Sequence, residues 1–110
     1  MITENEIDDI INGHSCPSQI PLEWGGGQPN KKKPGRRWED PNNDGNGVRI
    51  DKGDPESQWP SQRESHVVVR TRGRILRSDG QPIELLKPSK TPEAHIPLKD
   101  WLKWKTWHSP

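Results

Sequence analysis

The segment HVVVRT, which begins at His66, constrains the fold of this chain more than any other stretch. Successive β-branched residues favour a strand. Strand alternation places His66, Val68 and Arg70 on one face. It places Val67 and Val69 on the other face. The sequence therefore predicts a strand with one apolar face and one face that carries a histidine and an arginine.

Neighbouring segments predict partners for this strand. RGRILRS follows it after a turn at Gly73, and DGQPIELL follows the turn signal of Asp79 and Gly80. VRID, which ends at Asp51, is a candidate fourth strand. Such a sheet needs a helix to cover its apolar face.

Helices are predicted near both ends of the chain. MITENEIDDIING contains Thr3 and Glu6 at capping-box spacing. HIPLKDWLKWKTWHSP repeats apolar residues at helical spacing from Leu98 onwards, and it can alternatively be interpreted as a basic helix at a membrane surface. We predict the α+β class, with a small antiparallel sheet of three to four strands packed against N- and C-terminal helices.

Apolar residues are scarce, which limits the size of the core. Only 25% of the residues are hydrophobic, and Phe and Tyr are absent, so six tryptophans supply all the aromatic burial. The segment between the first helix and the sheet is rich in Pro, Gly and Lys and is interpreted as a loop or linker. We therefore predict a short acidic helix plus linker at residues 1–37 and a basic α+β domain at residues 38–110.

The charges are distributed unevenly along the chain. Residues 1–30 carry five acidic residues and no Lys or Arg, whereas residues 31–110 carry 17 basic and 11 acidic residues. A basic body suggests an anionic partner, although the charges can equally be an ordinary solvated surface. Lys31, Lys32 and Lys33 are interpreted as a basic arm toward phosphate or as a solubilising tether.

Other classes of protein are disfavoured by the sequence. Cys16 is the only cysteine, so neither a disulfide within the chain nor a cysteine-based zinc site is expected. We predict no metal and no cofactor. The acidic N-terminus lacks a signal-peptide pattern, and no apolar run approaches the roughly 20 residues that span a membrane. A cytoplasmic location without membrane insertion is expected.

Arginines are concentrated around the central strand. Five lie between Arg63 and Arg77, together with a single acid. If the register brings Arg70 beside Arg72, Arg74 or Arg77, like charges crowd one sheet surface, which is unfavourable unless an anion lies across it. This pattern indicates a phosphate-bearing ligand, and the alternative is an ordinary exposed sheet face.

A basic sheet face with histidines is sufficient for RNA cleavage without a metal. One group takes the proton from the ribose 2′-OH, another protonates the departing 5′-oxygen, and cations stabilise the phosphate. Histidine titrates near neutrality and suits either proton-transfer role. His66 is the first candidate and His95 the second, although an isolated histidine can also be structural.

The chain also resembles a known family. The stretches GNGVRIDKGDPESQWPSQRESHVVVRTRGRILRSDGQPI and EAHIPLKDWLKWKTW are similar to the C-terminal toxin modules of bacterial polymorphic toxin systems of the Rhs and haemagglutinin type. The order of elements is similar to the fold shared by barnase, EndoU, colicin-type tRNA nucleases and RelE. Ser65 departs from the pattern, which has an acidic residue before the histidine. The motif positions are Arg49, Asp51, Lys52, Ser61, Gln62 and His66.

This resemblance implies a metal-independent endoribonuclease toxin that acts on tRNA, leaves a 2′,3′-cyclic phosphate and is neutralised by a cognate immunity protein. The alternatives are a non-catalytic nucleic-acid-binding module and a protein-interaction module, such as a phage inhibitor of a host factor, that uses Trp104 and Trp107. The candidate catalytic residues are His66, Lys52, Arg49, Asp51 and Arg70, and the candidate RNA-binding residues are Ser61, Gln62, Arg72, Arg74, Lys31, Lys32 and Lys33.

Overall fold

The computed structural model describes residues 2–84 and 91–110. It combines helices with a six-stranded antiparallel sheet, which confirms the predicted α+β class with more strands than expected. The elements are α1 (Glu4–Ile11), β1 (Gln28–Pro29), β2 (Gly35–Glu39), β3 (Gly47–Asp51), β4 (His66–Thr71), β5 (Arg74–Ile75), β6 (Ile96–Pro97) and α2 (Leu98–Trp101).

The strand order makes β4 the centre of the sheet. Strands β1 to β4 are neighbours in sequence order, and β4 offers its second edge to two short strands. Strand β5 pairs with the C-terminal end of β4, around a two-residue turn in which Arg72 and Gly73 both have positive φ. Strand β6 pairs with the N-terminal end, at His66 and Val67.

The register of β3 against β4 separates an apolar face from a polar one. Val48 lies opposite Val69 and Ile50 opposite Val67, and all four side chains are buried. The alternate pairs, Arg49 with Val68 and Asp51 with His66, point to the other face. The two faces of β4 predicted from its alternation are therefore confirmed.

The apolar face of the sheet is covered from both ends of the chain. Helix α1 is capped by Thr3, whose hydroxyl accepts the Glu6 backbone N–H as predicted, and it buries Ile7 and Ile10. These residues join one core with the buried tryptophans. The core cluster contains Ile7, Ile10, Ile20, Trp24, Trp38, Val48, Ile50, Val67, Val69, Leu76, Ile96, Leu98, Trp101, Trp104 and Trp107.

The prediction of a loop or linker up to residue 37 is wrong in part, because this segment contains β1 and the start of β2. Strand β2 pairs with β3 along its whole length and runs across the predicted boundary between residues 37 and 38. Strand β2 could not be predicted from its sequence, because most of its residues are charged. It is stabilised by its hydrogen bonds to β3 and by the burial of Trp38, which is 1% exposed. The three lysines at residues 31–33 accordingly lie in the short connection between β1 and β2, where Asn30 N–H donates to the Gly35 carbonyl.

The predicted C-terminal helix is present but is much shorter than its apolar pattern indicated. Helix α2 ends at Trp101 after four residues, and the chain then turns back on itself. The indole N–H of Trp101 donates to the Trp107 carbonyl at 3.1 Å, and Lys105 N–H donates to the Ser109 carbonyl at 3.0 Å. This turn buries Trp104 and Trp107, which a continuing helix would direct elsewhere.

The predicted third strand of the meander is reduced to a bridge. Leu76 pairs with Pro82, and Ile83 N–H donates to the Ile75 carbonyl at 2.8 Å. Proline has no N–H to extend the ladder. The end of this predicted strand, at residues 85–86, lies outside the described residues.

Candidate functional site

A cavity of about 800 Å³ opens on the polar face of the sheet. Six of its lining side chains are Lys or Arg and two are Asp, so the cavity is cationic. It collects most of the predicted site residues from distant parts of the sequence. The lining residues are Asn30, Lys31, Lys32, Lys33, Arg37, Arg49, Asp51, Lys52, Asp54, Trp59, Ser61, Gln62, His66, Pro92 and His95.

His66 lies at the floor of this cavity and is 4% exposed. Its Nε2 lies 3.2 Å from Oδ2 of Asp51, and its Nδ1 lies 2.9 Å from the Glu64 carbonyl oxygen. Both partners are acceptors, so both hydrogen bonds form only when each ring nitrogen carries a proton. Asp51 of the neighbouring strand thus places a carboxylate beside His66, although the residue before His66 in the chain is Ser65.

Asp51 is held by three neighbours besides the backbone. Asn30 Nδ2 donates to Oδ1 at 2.7 Å, and Arg49 Nε donates at 3.1 Å. Burial raises the pKa of Asp51, but the hydrogen bond from His66 and the charge of Arg49 outweigh burial and leave this pKa below its ordinary value. Asp51 is thus an anion at neutral pH.

Replacing Asp51 by Asn is expected to lower the free energy of unfolding at pH 7 by about 1.5–3 kcal/mol, the usual contribution of hydrogen bonds to a charged group. The pKa of Asp51 is lower in the folded state than its unfolded value of about 3.9, so its stabilisation is complete above about pH 5 and is lost as the pH falls through the folded pKa. Urea unfolding of both proteins between pH 2 and pH 7 measures this difference, which should shrink in acid.

Asp54→Asn is the matched control for that measurement. Asp54 also lines the cavity, but it is exposed, and its Oδ1 accepts the Glu56 N–H at 3.0 Å, a bond that asparagine retains. A stability difference for Asp51→Asn that persists unchanged at acidic pH would contradict the assigned ion pairing.

His95 stands beside His66 and reaches the cavity from the segment before β6. The two rings meet edge to face, with centroids 5.0 Å apart and planes at 89°. Burial lowers the pKa of His95 below its ordinary value, and the charge of His66 lowers it further, against a smaller opposing effect of Asp51. His95 is half-buried and neutral at pH 7, which suits a proton acceptor.

Lys52 is a cation at the edge of the cavity, held by the first helix. Its Nζ lies 2.8 Å from Oδ1 of Asp8 and 3.8 Å from Oε2 of Glu4. The hydrogen bond to Asp8 and the charge of that carboxylate raise the pKa of Lys52. The N-terminal helix therefore contributes to this site, because its carboxylates hold the ammonium group of Lys52 in position.

Ser61 and Gln62 line the cavity from a 3₁₀ turn, and their predicted role in positioning a substrate stays a prediction. Five lining residues were not among the predicted site residues: Asn30, Arg37, Asp54, Trp59 and Pro92. Only Trp59 had a visible signal, since a tryptophan in the polar stretch SQWPSQ has few apolar neighbours to pack against.

Arg70, Arg72 and Arg74 do not line the cavity. The register pairs Arg70 with Ile75, and its guanidinium donates to the Asp44 carbonyl at 3.1 Å. Arg74 forms an ion pair with Glu84. The arginines of β4, β5 and their turn are thus dispersed over other contacts.

Comparisons of the chain with protein-family models, curated proteins and solved structures found no match. The likeness to toxin modules therefore stays a prediction. Among residues 2–84 and 91–110, no helix is long and apolar enough to cross a membrane. In the same part of the chain, no three His, Cys, Asp or Glu side chains are grouped to hold a metal ion.

Proposed function

We propose that the protein is a metal-independent endoribonuclease. The observation that carries the proposal is the position of His95, a neutral imidazole beside the His66–Asp51 pair in a cavity with six cationic side chains. A neutral base next to an array of cations matches the needs of phosphodiester transesterification.

The strand order supports the placement of the general base, His95, and the lysine side chains on opposite sides of the cavity. His95 precedes β6 at one side of the Asp51–His66 pair, and the lysines at residues 31–33 lie in the β1–β2 connection at the other side. A phosphodiester placed between them has its 2′-OH beside His95. His95 takes the 2′-OH proton, the 2′-oxygen bonds to phosphorus, and the bond to the 5′-oxygen breaks to leave a 2′,3′-cyclic phosphate.

The departing 5′-oxygen takes a proton from an ammonium group of the lysine-bearing wall, and Arg49 and Lys52 stabilise the charge on the phosphate. We assign His66 a positioning role, because its two ring nitrogens are already bonded to Glu64 and Asp51. It packs edge to face against the ring of His95, and its charge adds to the effect of burial in lowering the pKa of His95.

Incubation of a total tRNA pool with the protein and a chelator tests this proposal. We expect fragments that end in a 2′,3′-cyclic phosphate, detected by 3′ ends that can be ligated only after the cyclic phosphate is opened and the resulting phosphomonoester is removed by a phosphatase. Intact RNA, or cleavage that stops when the chelator is added, would contradict it.

We extend the proposal to a toxin that acts on tRNA in the bacterial cytosol and is neutralised by an immunity protein. This extension is supported by the resemblance of residues 45–107 to polymorphic toxin modules. A cationic cavity also fits an acidic inhibitor by charge complementarity.

A non-catalytic nucleic-acid-binding module is the second candidate. It is favoured because both ring nitrogens of His66 already have hydrogen-bond partners. RNA would then be held by the cationic side chains of the cavity without proton transfer by His66. Its signature is salt-dependent RNA binding without turnover. The protein-interaction alternative depends on Trp104 and Trp107, and both of these side chains are buried.

A further inference from the structure

Trp59 differs from the other tryptophans of the chain. Its side chain is 58% exposed, whereas the other five tryptophans are at most 9% exposed. It lines the cationic cavity together with His66 and His95. An indole that is largely exposed to water contributes little to the hydrophobic core. Its position in the cavity instead indicates a role in ligand binding.

The segment that presents Trp59 is tied down at both sides. Trp59 N–H donates to the Ser57 hydroxyl at 3.1 Å, and its carbonyl accepts Gln62 N–H at 2.9 Å. Farther out, Asp54 N–H donates to the Gln62 carbonyl at 3.0 Å. Pro60 fixes the backbone after the indole. The aromatic ring is therefore carried on a constrained turn, which lowers the entropic cost of binding a flat partner.

The chemistry around Trp59 selects the kind of partner. Lysine and arginine side chains attract phosphate, and an indole face attracts a planar aromatic group. A nucleotide carries both groups. A base inside a duplex has both faces occupied by its stacked neighbours, so only an unpaired base can lie on an indole.

We propose that the cavity binds an unpaired nucleotide of single-stranded RNA, with its base stacked on Trp59 and its phosphate on the surrounding cations. The inference rests on the proposed RNA-directed function and adds the class of substrate: loops, bulges and single strands. Gln62, the last residue of the 3₁₀ turn, lines the same cavity, and a glutamine amide has both the donors and the acceptor that a base edge requires.

Binding of a 2′-O-methyl oligoribonucleotide, which cannot be cleaved, tests the stacking. By fluorescence polarisation at fixed salt, Trp59→Ala is expected to weaken binding of the single strand about 5- to 150-fold, since stacking contributes about 1–3 kcal/mol per base. Trp59→Phe should retain most of the affinity. The same strand annealed to its complement should bind more weakly than the single strand and respond little to Trp59→Ala.

Leu22→Ala is the matched control, because Leu22 is 94% exposed but does not line the cavity. Unchanged affinity in Trp59→Ala, an equal loss for the duplex, or no binding by the wild-type chain would overturn the inference. Trp59-dependent binding of the uncleavable strand without cleavage of natural RNA would contradict the ribonuclease and leave the stacking site intact.

Discussion

Replacing His95 by alanine is expected to reduce RNA cleavage by about 10²- to 10⁴-fold, the usual contribution of a positioned general base. The neutral form of His95 is the active one, and its pKa lies below the ordinary histidine value of about 6.5. Cleavage should therefore fall only as the pH drops below that value. A profile of kcat/KM between pH 4.5 and pH 8 measures this acid limb.

His14→Ala is the control for that experiment, because His14 is exposed and does not line the cavity. It should cleave like the wild-type chain. Full activity in His95→Ala would show that the base is another group. His95 is half-buried, so thermal unfolding of the variant should be recorded to separate lost chemistry from lost structure.

Replacing His66 by alanine is expected to lower the free energy of unfolding by about 3 kcal/mol. Removing one member of a buried pair costs roughly 3–5 kcal/mol, and Asp51 keeps its bonds from Asn30 and Arg49. Urea unfolding at pH 7 measures the loss. It is a large fraction of the roughly 5–15 kcal/mol that stabilises a domain.

His66→Gln separates the positioning role from the structural one. The glutamine amide can donate to Asp51 but carries no charge, so the pKa of His95 should rise toward its ordinary value and the acid limb of cleavage should move to higher pH. In a double-mutant cycle, His66→Gln and Asp51→Asn should destabilise by less than the sum of the single changes. An additive cycle and an unmoved acid limb would both contradict the pairing.

The sequence predicted the central strand well, because its signal is local. Three valines and their alternation identify both the strand and its two faces, and the turn at Gly73 identifies the hairpin. Thr3 and Glu6 likewise mark the start of α1 through a contact over three residues. Structural features that arise from contacts between residues close together in the chain can therefore be predicted from sequence patterns.

Features that depend on register and tertiary contact were not predictable in this way. Strand β2 has no apolar alternation, and Asp51 lies opposite His66 only because β3 and β4 pair as they do. The C-terminal helix was overestimated because the hydrogen bond from Trp101 to Trp107 competes with helical continuation. The polar stretch SQWPSQ signals that Trp59 is exposed, but its place beside His66 and His95 depends on the fold.

The position of β6 on β4 has a consequence for biosynthesis. His95 and β6 join a cavity whose floor is made by residues 51 and 66, and Gln19 reaches Trp101 across 82 positions of sequence. Contacts of such long range form late in folding, because the chain loses more entropy to close them. During synthesis, strands β1 to β5 leave the ribosome before β6, which pairs with β4. If the protein has the proposed function, we expect cleavage activity to appear only after residues 95–97 have docked against β4.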